Sequence, residues 1–359
     1  MKKFFLFTAA AFAALLIISC NKDDSYTREE PEREAATLTV NIVSDNPNST
    51  KSQGSLHSNQ ADDNIVNLLE LFVFRTDGDD AGMLDAYLRL AGEQLTSLSN
   101  INIQTTTGNK IIYAIANSHR DNWTGINTLS LFQEQLSDLK KENIRDFVMT
   151  GSVEAMVQAT TSVTFSISRL VARVQVASIR TDFAGGPYEG STLNNVRMYL
   201  INVSGDKLYA SGENGSAPVI LNKNTLVAED VNTIAMTDML YDQLMGNITD
   251  AGYMNSHYYY TYENMPETET ETDKYTRLVI QADLNGHTYY YPVNINQEGF
   301  GHVASNGHKG VRRNTAYTLN VVIRRPGSLD PDTPVEHGAV DVSLNVLDWV
   351  TTPVANIEF

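Results

Sequence analysis

Residues 338–349 read GAVDVSLNVLDW, and the rest of the sequence is best understood from this stretch. Val340, Val342, Leu344 and Val346 alternate with polar residues, which is the pattern of a strand with one buried face. A spacer that contains Pro and Asp, residues 326–337, precedes the strand. A terminal strand on a spacer can complete its own sheet, or it can complete the sheet of a neighbouring molecule.

The composition predicts a mainly β protein. The chain has 359 residues, enough for about two domains. Short runs rich in Tyr, Val, Ile and Thr are separated by Asn, Gly, Asp and Ser, which favours all-β structure, with two β-sandwich domains and one or two short helices. The net charge of −17 argues against a nucleic-acid partner, because few cations are available to neutralise phosphates.

The N-terminus is typical of an export signal. Lys2 and Lys3 precede an apolar run from Phe4 to Ile18, and the run ends at Cys20. This arrangement is similar to a bacterial lipobox, so residues 1–19 are expected to be a lipoprotein signal peptide, and Cys20 the acylated residue, carrying palmitate. A plain signal peptide or a membrane anchor is the alternative. Residues 20–36 are charged and without periodicity, which predicts a flexible tether.

The body of the chain divides into two predicted β-rich regions. Gly185-Gly186-Pro187 suggests the boundary, giving an N-terminal domain at 37–184 and a C-terminal domain at 185–325, followed by the spacer and terminal strand at 326–359. Apolar spacing predicts one helix within 131–143, with Ser130 and Gln133 as a capping box, and a second at 234–245.

Motifs for catalysis are missing from the sequence: it contains no G-x-S-x-G elbow, P-loop or H-E-x-x-H helix. We therefore expect no enzymatic activity, no cofactor and no metal. His302 and His308 share a loop that is more typical of a solvated segment than of a metal site. Asp77, Asp79 and Asp80 lack the distal Glu of a calcium loop, which favours a hairpin turn. The tyrosines at 258–262 could stack on a sugar, but core packing is the commoner role.

Several blocks, in order along the chain, resemble the fimbrillins, the major fimbrial subunits of Bacteroidales-type bacteria. They are the lipobox with its tether, ATLTVNIVSDNPNSTK at 36–51, RLVARVQV at 169–176, VRRNTAYTLNVVI at 311–323, and the terminal alternation that ends in Asp348-Trp349. The resemblance implies two transthyretin-like β-sandwich domains. It also implies a lipoprotein that reaches the outer membrane and then a fimbrium on the cell surface, where it serves adhesion.

The resemblance further implies assembly by strand exchange. A trypsin-like protease would cut between Lys51 and Ser52, and the first strand, with Leu38, Val40 and Ile42, would depart with the segment 37–51. Another copy would then donate its terminal strand, with Val340, Val342, Leu344, Val346 and Trp349, into the vacated groove. Other copies of the chain and accessory fimbrial subunits are the implied partners.

Three alternatives stay open at this point. Lys51 stands where the family commonly has Arg, which favours a Lys-tolerant protease; Arg75, the next basic residue, follows a buried strand and is a poor protease site. The terminal strand could simply complete its own domain. The chain is expected to be a shaft subunit, but it could instead be a fimbrial tip or accessory adhesin, or a monomeric surface lipoprotein that binds glycans.

Overall fold

The computed structural model describes residues 33–43, 45, 61–234, 239–268, 270–299, 307–333, 335, 339–349 and 354–355. Strands dominate this part of the chain, so the expected all-β fold is confirmed. The helices are α1 (Leu129–Gln133) and α2 (Ala228–Asn232). The strands are β1 (Ala35–Val43), β2 (Ile65–Val66), β3 (Leu68–Arg75), β4 (Leu84–Ala91), β5 (Ile101–Thr106), β6 (Gly108–Ala116), β7 (Leu136–Asp138), β8 (Met149–Val157), β9 (Thr160–Ser166), β10 (Ser168–Arg169), β11 (Val171–Thr181), β12 (Asn194–Ile201), β13 (Val203–Ser204), β14 (Asp206–Leu208), β15 (Ile220–Leu221), β16 (Tyr241–Gln243), β17 (His257–Tyr262), β18 (Arg277–Leu284), β19 (His287–Asn294), β20 (Thr315–Ile323), β21 (Val340–Asp348) and β22 (Val354–Ala355).

The N-terminal half contains a three-stranded sheet in the order β5-β1-β9 and a five-stranded sheet in the order β10-β8-β6-β3-β4. Strand β1 lies in the centre of the smaller sheet, antiparallel to β5 and parallel to β9. Its alternating residues point their apolar side chains at the larger sheet, so the two sheets enclose a common core.

The central strands of the five-stranded sheet, β3 and β6, are buried on both faces over most of their length. Leu71 and Val73 of β3 point towards the three-stranded sheet. Phe72 and Phe74, the intervening residues, point the other way and join a core that is shared with the C-terminal half. The near-continuous apolar run LLELFVF is therefore explained by its position, because a strand covered on both sides has no solvent-facing set.

The C-terminal half is built from a sheet in the order β17-β11-β20-β21 and another in the order β16-β12-β18-β19. Strand β11, residues 171–181, pairs with β17 and β20, which lie far beyond the predicted boundary at residue 184. The chain thus leaves the N-terminal sheets after β10 and enters the C-terminal sheets with β11. The division into two domains stays a prediction, and the sheets place β11 with the second half.

Both helix predictions were wrong in extent. Helix α1 covers only residues 129–133, its N-cap is Thr128 rather than Ser130, and residues 136–138 form a strand. The second helix, α2, lies upstream of the predicted 234–245, within which residues 241–243 pair with β12. The residues between, 235–238, lie outside the described part of the chain. Spacing by four along a short segment did not distinguish a helix from an irregular buried stretch.

A buried ionic cluster joins the two N-terminal sheets at one edge. The side chain of Asp85 on β4 is 1% exposed and pairs with Lys110 of β6 at 3.1 Å and with Arg75 of β3 at 2.6 Å. It also accepts hydrogen bonds from Thr105 and from the Thr106 amide of β5. Burial by itself would raise the pKa of Asp85, but these bonds outweigh that effect and hold the pKa well below its ordinary value. The cluster fixes β5, which is one wall of the site that β1 occupies.

We expect Asp85→Asn to lower the free energy of unfolding at pH 7 by about 3–5 kcal/mol, because the buried Lys110 would lose its counter-charge. The pKa of Asp85 is depressed by folding, so its contribution is present above about pH 4, the ordinary pKa range, and is lost as the pH falls towards the folded value. The difference between variant and parent should therefore shrink in acid. Urea unfolding at several pH values measures it. Asp121→Asn, at an exposed position, is the matched control and should stay within about 0.5 kcal/mol of the parent; equal stability of the two variants would contradict the role of Asp85.

Candidate functional site

The inner face of β1 fills the N-terminal core. Ala36, Leu38, Val40 and Ile42 are each at most 4% exposed. They pack in one cluster with buried residues of the five-stranded sheet, among them Leu71 and the other inward side chains. The structure therefore places the three predicted residues, Leu38, Val40 and Ile42, side by side on the buried face of a central strand.

The outer face of β1 is polar and fixes its register. Thr39 donates a hydrogen bond to the Asn102 side chain of β5 at 2.8 Å, and Asn41 donates to Ser162 of β9 at 3.2 Å. The Asn41 side chain also accepts from the Asn100 amide. These bonds run to both neighbouring strands, β5 and β9. Within the described part of this sheet, β1 is the strand that joins β5 to β9.

The start of β1 is anchored by an arginine. Arg33 donates to the Asp77 carboxylate at 2.8 Å and to Asp80 at 3.0 Å, both in the turn between β3 and β4. The Asn109 amide and Arg33 together lower the pKa of Asp77, against the smaller effect of burial. Asp77 and Asp80, which resemble part of a calcium loop, thus lie in a hairpin turn and pair with Arg33 and Arg75. The prediction of a hairpin turn is confirmed.

The terminal strand β21 lies at the edge of its own sheet. It pairs antiparallel with β20 over nine residues, from Val340 opposite Ile323 to Asp348 opposite Thr315. Val340 and Leu344 are 8% and 9% exposed, whereas Val342 and Val346 are only half-buried against the same core. Within the single chain, β21 therefore completes its own sheet, which is one of the two alternatives left open by the sequence.

A cluster at the end of β21 was not foreseen from the sequence. The guanidinium carbons of Arg169 and Arg173 lie 4.1 and 4.7 Å from the centroid of the Trp349 ring, and all three side chains are buried. Arg173 pairs with the buried Asp63 at 3.2 Å. Arg169 also donates to the carbonyl oxygen of Trp349 at 3.1 Å and to Asn314 at 3.1 Å. We call Arg169, Arg173, Asp63, Asn314 and Trp349 the Trp349 clasp. The spacing of the two arginines along 169–173 was visible in the sequence, but their partner was not.

The remaining predicted processing residues, Cys20, Lys51 and Ser52, lie outside the described residues. Arg75, the alternative cleavage position, ends β3 and is held in ion pairs with Asp80 and Asp85. A basic side chain held in this way is a poor protease substrate, as expected.

The other candidate sites are accounted for by packing. Tyr259, Tyr260 and Tyr262 are at most 1% exposed and belong to the core, which confirms the core interpretation for these three; Tyr258 is half-buried against the same core. His308 bonds to the Tyr317 hydroxyl at 2.7 Å, and His302 lies outside the described residues. Among the residues that the structure describes, no group of three or more His, Cys, Asp or Glu side chains is arranged to hold a metal ion.

A cleft of about 600 Å³ collects several cations, including Arg89, His119, Arg120 and Lys140. Internal partners already occupy most of them: Arg89 pairs with Glu70 at 2.6 Å and Lys140 with Asp230 at 3.0 Å.

Within the described ranges, no helix is long and apolar enough to cross a bilayer.

Comparison with known proteins identifies the family. Residues 36–223 match the family model described as major fimbrial subunit protein (FimA), and residues 170–351 match the model described as fimbrium tip subunit Fim1C-like, C-terminal domain. The chain is 22% identical over 349 residues to the major fimbrium subunit FimC of Porphyromonas gingivalis, covering 95% of this chain and 68% of FimC. It is 23% identical over 347 residues to Fim1C of Parabacteroides distasonis, whose name assigns it provisionally to the fimbrium tip, covering 87% of this chain and 84% of Fim1C.

Solved structures agree at the level of the fold. The fimbrilin FimA of Porphyromonas gingivalis superposes with a TM-score of 0.58 at 15% identity, covering 88% of this chain and 99% of that chain. The relatives are named as fimbrial subunits and not as enzymes. Each of the two family models spans slightly more than half of the sequence, and together they cover β21 and all of β1 except Ala35. The chain therefore belongs to the fimbrillin family of bacterial fimbrial subunits.

Proposed function

We propose that this fimbrial subunit polymerises by exchanging β1 for the terminal strand of another copy, as a shaft subunit of an adhesive fimbrium. One observation carries the proposal: β1 is the central strand of its sheet, joined to β5 on one side and β9 on the other. Loss of an edge strand would leave a sheet intact, but loss of a central strand leaves two open edges and an uncovered core.

The groove that β1 would leave is strongly apolar. Four inward side chains, Ala36, Leu38, Val40 and Ile42, are buried against the five-stranded sheet. Burying a Leu, Val or Ile side chain contributes about 1.5–3 kcal/mol, and each ladder hydrogen bond adds roughly 0.5–1.5 kcal/mol. An empty groove is therefore costly, and a second strand of matching pattern is the natural occupant.

Strand β21 has the required form. It is nine residues long, as is β1, and both alternate between an apolar and a polar face. Its edge position means that β20 is its single strand partner in the described part of the sheet, so it can leave without dividing the sheet. Length, period and edge position together support its role as the donor.

Processing precedes exchange in this proposal. The chain is exported as a lipoprotein acylated on Cys20, held at the outer membrane, and cut between Lys51 and Ser52 by a trypsin-like protease. The cut falls in the segment between β1 and β2, so it separates β1 from the body without breaking any strand that the structure describes. The cleaved subunit then joins the extracellular fimbrium with other copies and accessory subunits.

A tip subunit is the second candidate, and two observations favour it. Residues 170–351, which include β21, match a tip-subunit domain family. In addition, β21 is fully paired with β20 of its own chain and anchored by the Trp349 clasp. A tip subunit would accept a strand in place of β1 and keep its own terminal strand docked.

We expect a synthetic peptide of residues 338–359 to displace the N-terminal fragment that ends at Lys51, and contains β1, from the chain after limited trypsin cleavage at Lys51. A peptide with Val342→Asp should act at least about tenfold more weakly, because it would place a charge against the apolar floor of the groove. A Ser343→Asp peptide carries the same charge on the opposite face and is the matched control. Fragment release is followed by mass spectrometry. Equal potency of the Val342→Asp and Ser343→Asp peptides would refute the proposed register of insertion.

We expect Val342→Asp in the full chain to give a subunit that accepts a strand but does not donate one, because Val342 is only half-buried in its own sheet and the fold should persist. Lys51→Gln should give a subunit that does not accept a strand, because β1 stays covalently attached to the body. After trypsin treatment, each variant alone should remain monomeric, whereas parent and Ser343→Asp chains should form SDS-resistant ladders. Circular dichroism of each monomer checks its fold.

The same gel separates the candidates. Parent chains that stay monomeric after cleavage, yet exchange the N-terminal fragment that ends at Lys51 for the peptide, would identify a tip subunit. Parent chains that neither polymerise nor bind the peptide would favour a monomeric glycan-binding lipoprotein and overturn both assembly roles.

A further inference from the structure

The Trp349 clasp connects the end of the terminal strand to both flanks of the cleavage segment. On the downstream flank, Asp63 pairs with Arg173 and its carbonyl oxygen accepts a hydrogen bond from Arg169 at 3.0 Å. The Asn64 side chain also bonds to Arg169. Directly after Asn64, β2 pairs in parallel with β22, which follows Trp349 in the sequence. The segment after the cut therefore holds the C-terminal tail.

The upstream flank reaches the same cluster through Asp45, which lies two residues beyond the end of β1. The Asn314 side-chain amide donates to the Asp45 carboxylate at 2.5 Å. The other side-chain atom of Asn314 accepts from Arg169 at 3.1 Å, and its carbonyl oxygen accepts from the Trp349 amide at 2.9 Å. One residue, Asn314, thus touches the removable segment and the terminal strand together.

Charge makes this arrangement sensitive to loss of Asp45. Arg169 and Arg173 are at most 1% exposed, and Asp63, the carboxylate in direct contact with Arg173, is equally buried. Asp63 and Asp45 are the two carboxylates whose attraction stabilises the charge on Arg169. Two buried guanidinium groups need such partners, because an uncompensated charge in the interior is strongly destabilising.

We propose that the Trp349 clasp is a latch that couples the departure of β1 to the release of β21, which deepens and rests on the proposed strand exchange. When residues up to Lys51 leave, Asp45 leaves with them. Asn314 loses that hydrogen bond, Arg169 loses the attraction of one of its two carboxylates, and the contact that holds Trp349 weakens. The terminal strand is thereby retained in the precursor and freed in the processed subunit, so that donation follows processing.

Hydrogen–deuterium exchange on the intact, uncleaved chain tests the latch. We expect Asp45→Ala to speed exchange of the amides at 340–348 about tenfold or more, the scale set by losing a hydrogen bond to a charged group. Asp45→Asn keeps a side chain of the same shape without the charge, and an intermediate rate is expected for it. Thr39→Ala is the matched control, since it removes a β1 hydrogen bond to Asn102 that does not involve the C-terminal tail.

Two outcomes would overturn the latch. Exchange at 340–348 could be the same in Asp45→Ala and in the parent, or it could rise equally in Thr39→Ala, which would trace the effect to a loosened β1. The result is separable from that of the polymerisation experiments. SDS-resistant ladders together with unchanged deuterium exchange in Asp45→Ala would support strand exchange and remove the latch. Faster deuterium exchange at 340–348 without ladders would support the contact between Asp45 and the terminal strand and remove strand exchange.

Discussion

Strand β1 is the one connection between β5 and β9 in the described N-terminal sheets, and the rest of that half depends on it. It is hydrogen-bonded along both edges and contributes a full row of buried side chains to the core. A strand in that position lies near the chain's N-terminal end, ahead of a long polar segment. A strand that is hydrogen-bonded along both edges is therefore also one that a single cut would detach, and in the proposed assembly that strand would be the one replaced.

The body around β1 is built to keep its shape. The central strands β3 and β6 of the five-stranded sheet are covered on both faces, and Asp85 ties β5 to this sheet through Thr105 and Thr106. Phe72, Phe132 and Trp123 extend the core towards the C-terminal half, with ring centroids 4.7–5.8 Å apart. Rigid walls of this kind favour replacement of the central strand by another of equal length over collapse of the groove.

The sequence predicted local structure well and long-range pairing poorly. The alternation at 340–346 and at 38–42 correctly identified strands with one buried face, because period two is a local property. The same reasoning could not assign β11 to its sheet, since β11 pairs in parallel with β20 across more than a hundred residues. The helix at 131–143 was overestimated because a strand and a turn that pack against the core also carry apolar residues at intervals of three or four. The residues of the Trp349 clasp are spread from 63 to 349, so no motif in the sequence joins them.

The two positions available to β21 would differ in how fully they bury the strand. In its own sheet, Val342 and Val346 are half-buried, and the polar face, with Asp341 paired to Arg324, lies exposed. In the place of β1, the corresponding inward positions are at most 4% exposed. Each apolar side chain that became fully buried would gain a part of the roughly 1.5–3 kcal/mol available to it, and the strand would gain a second hydrogen-bonded neighbour. Exchange would thus be favoured by a gain in burial, while the Trp349 clasp supplies an interaction that only the docked strand makes. A strand that would be more fully buried in another copy needs an anchor in its own sheet, which is a physical reason for a buried tryptophan between two arginines at its end.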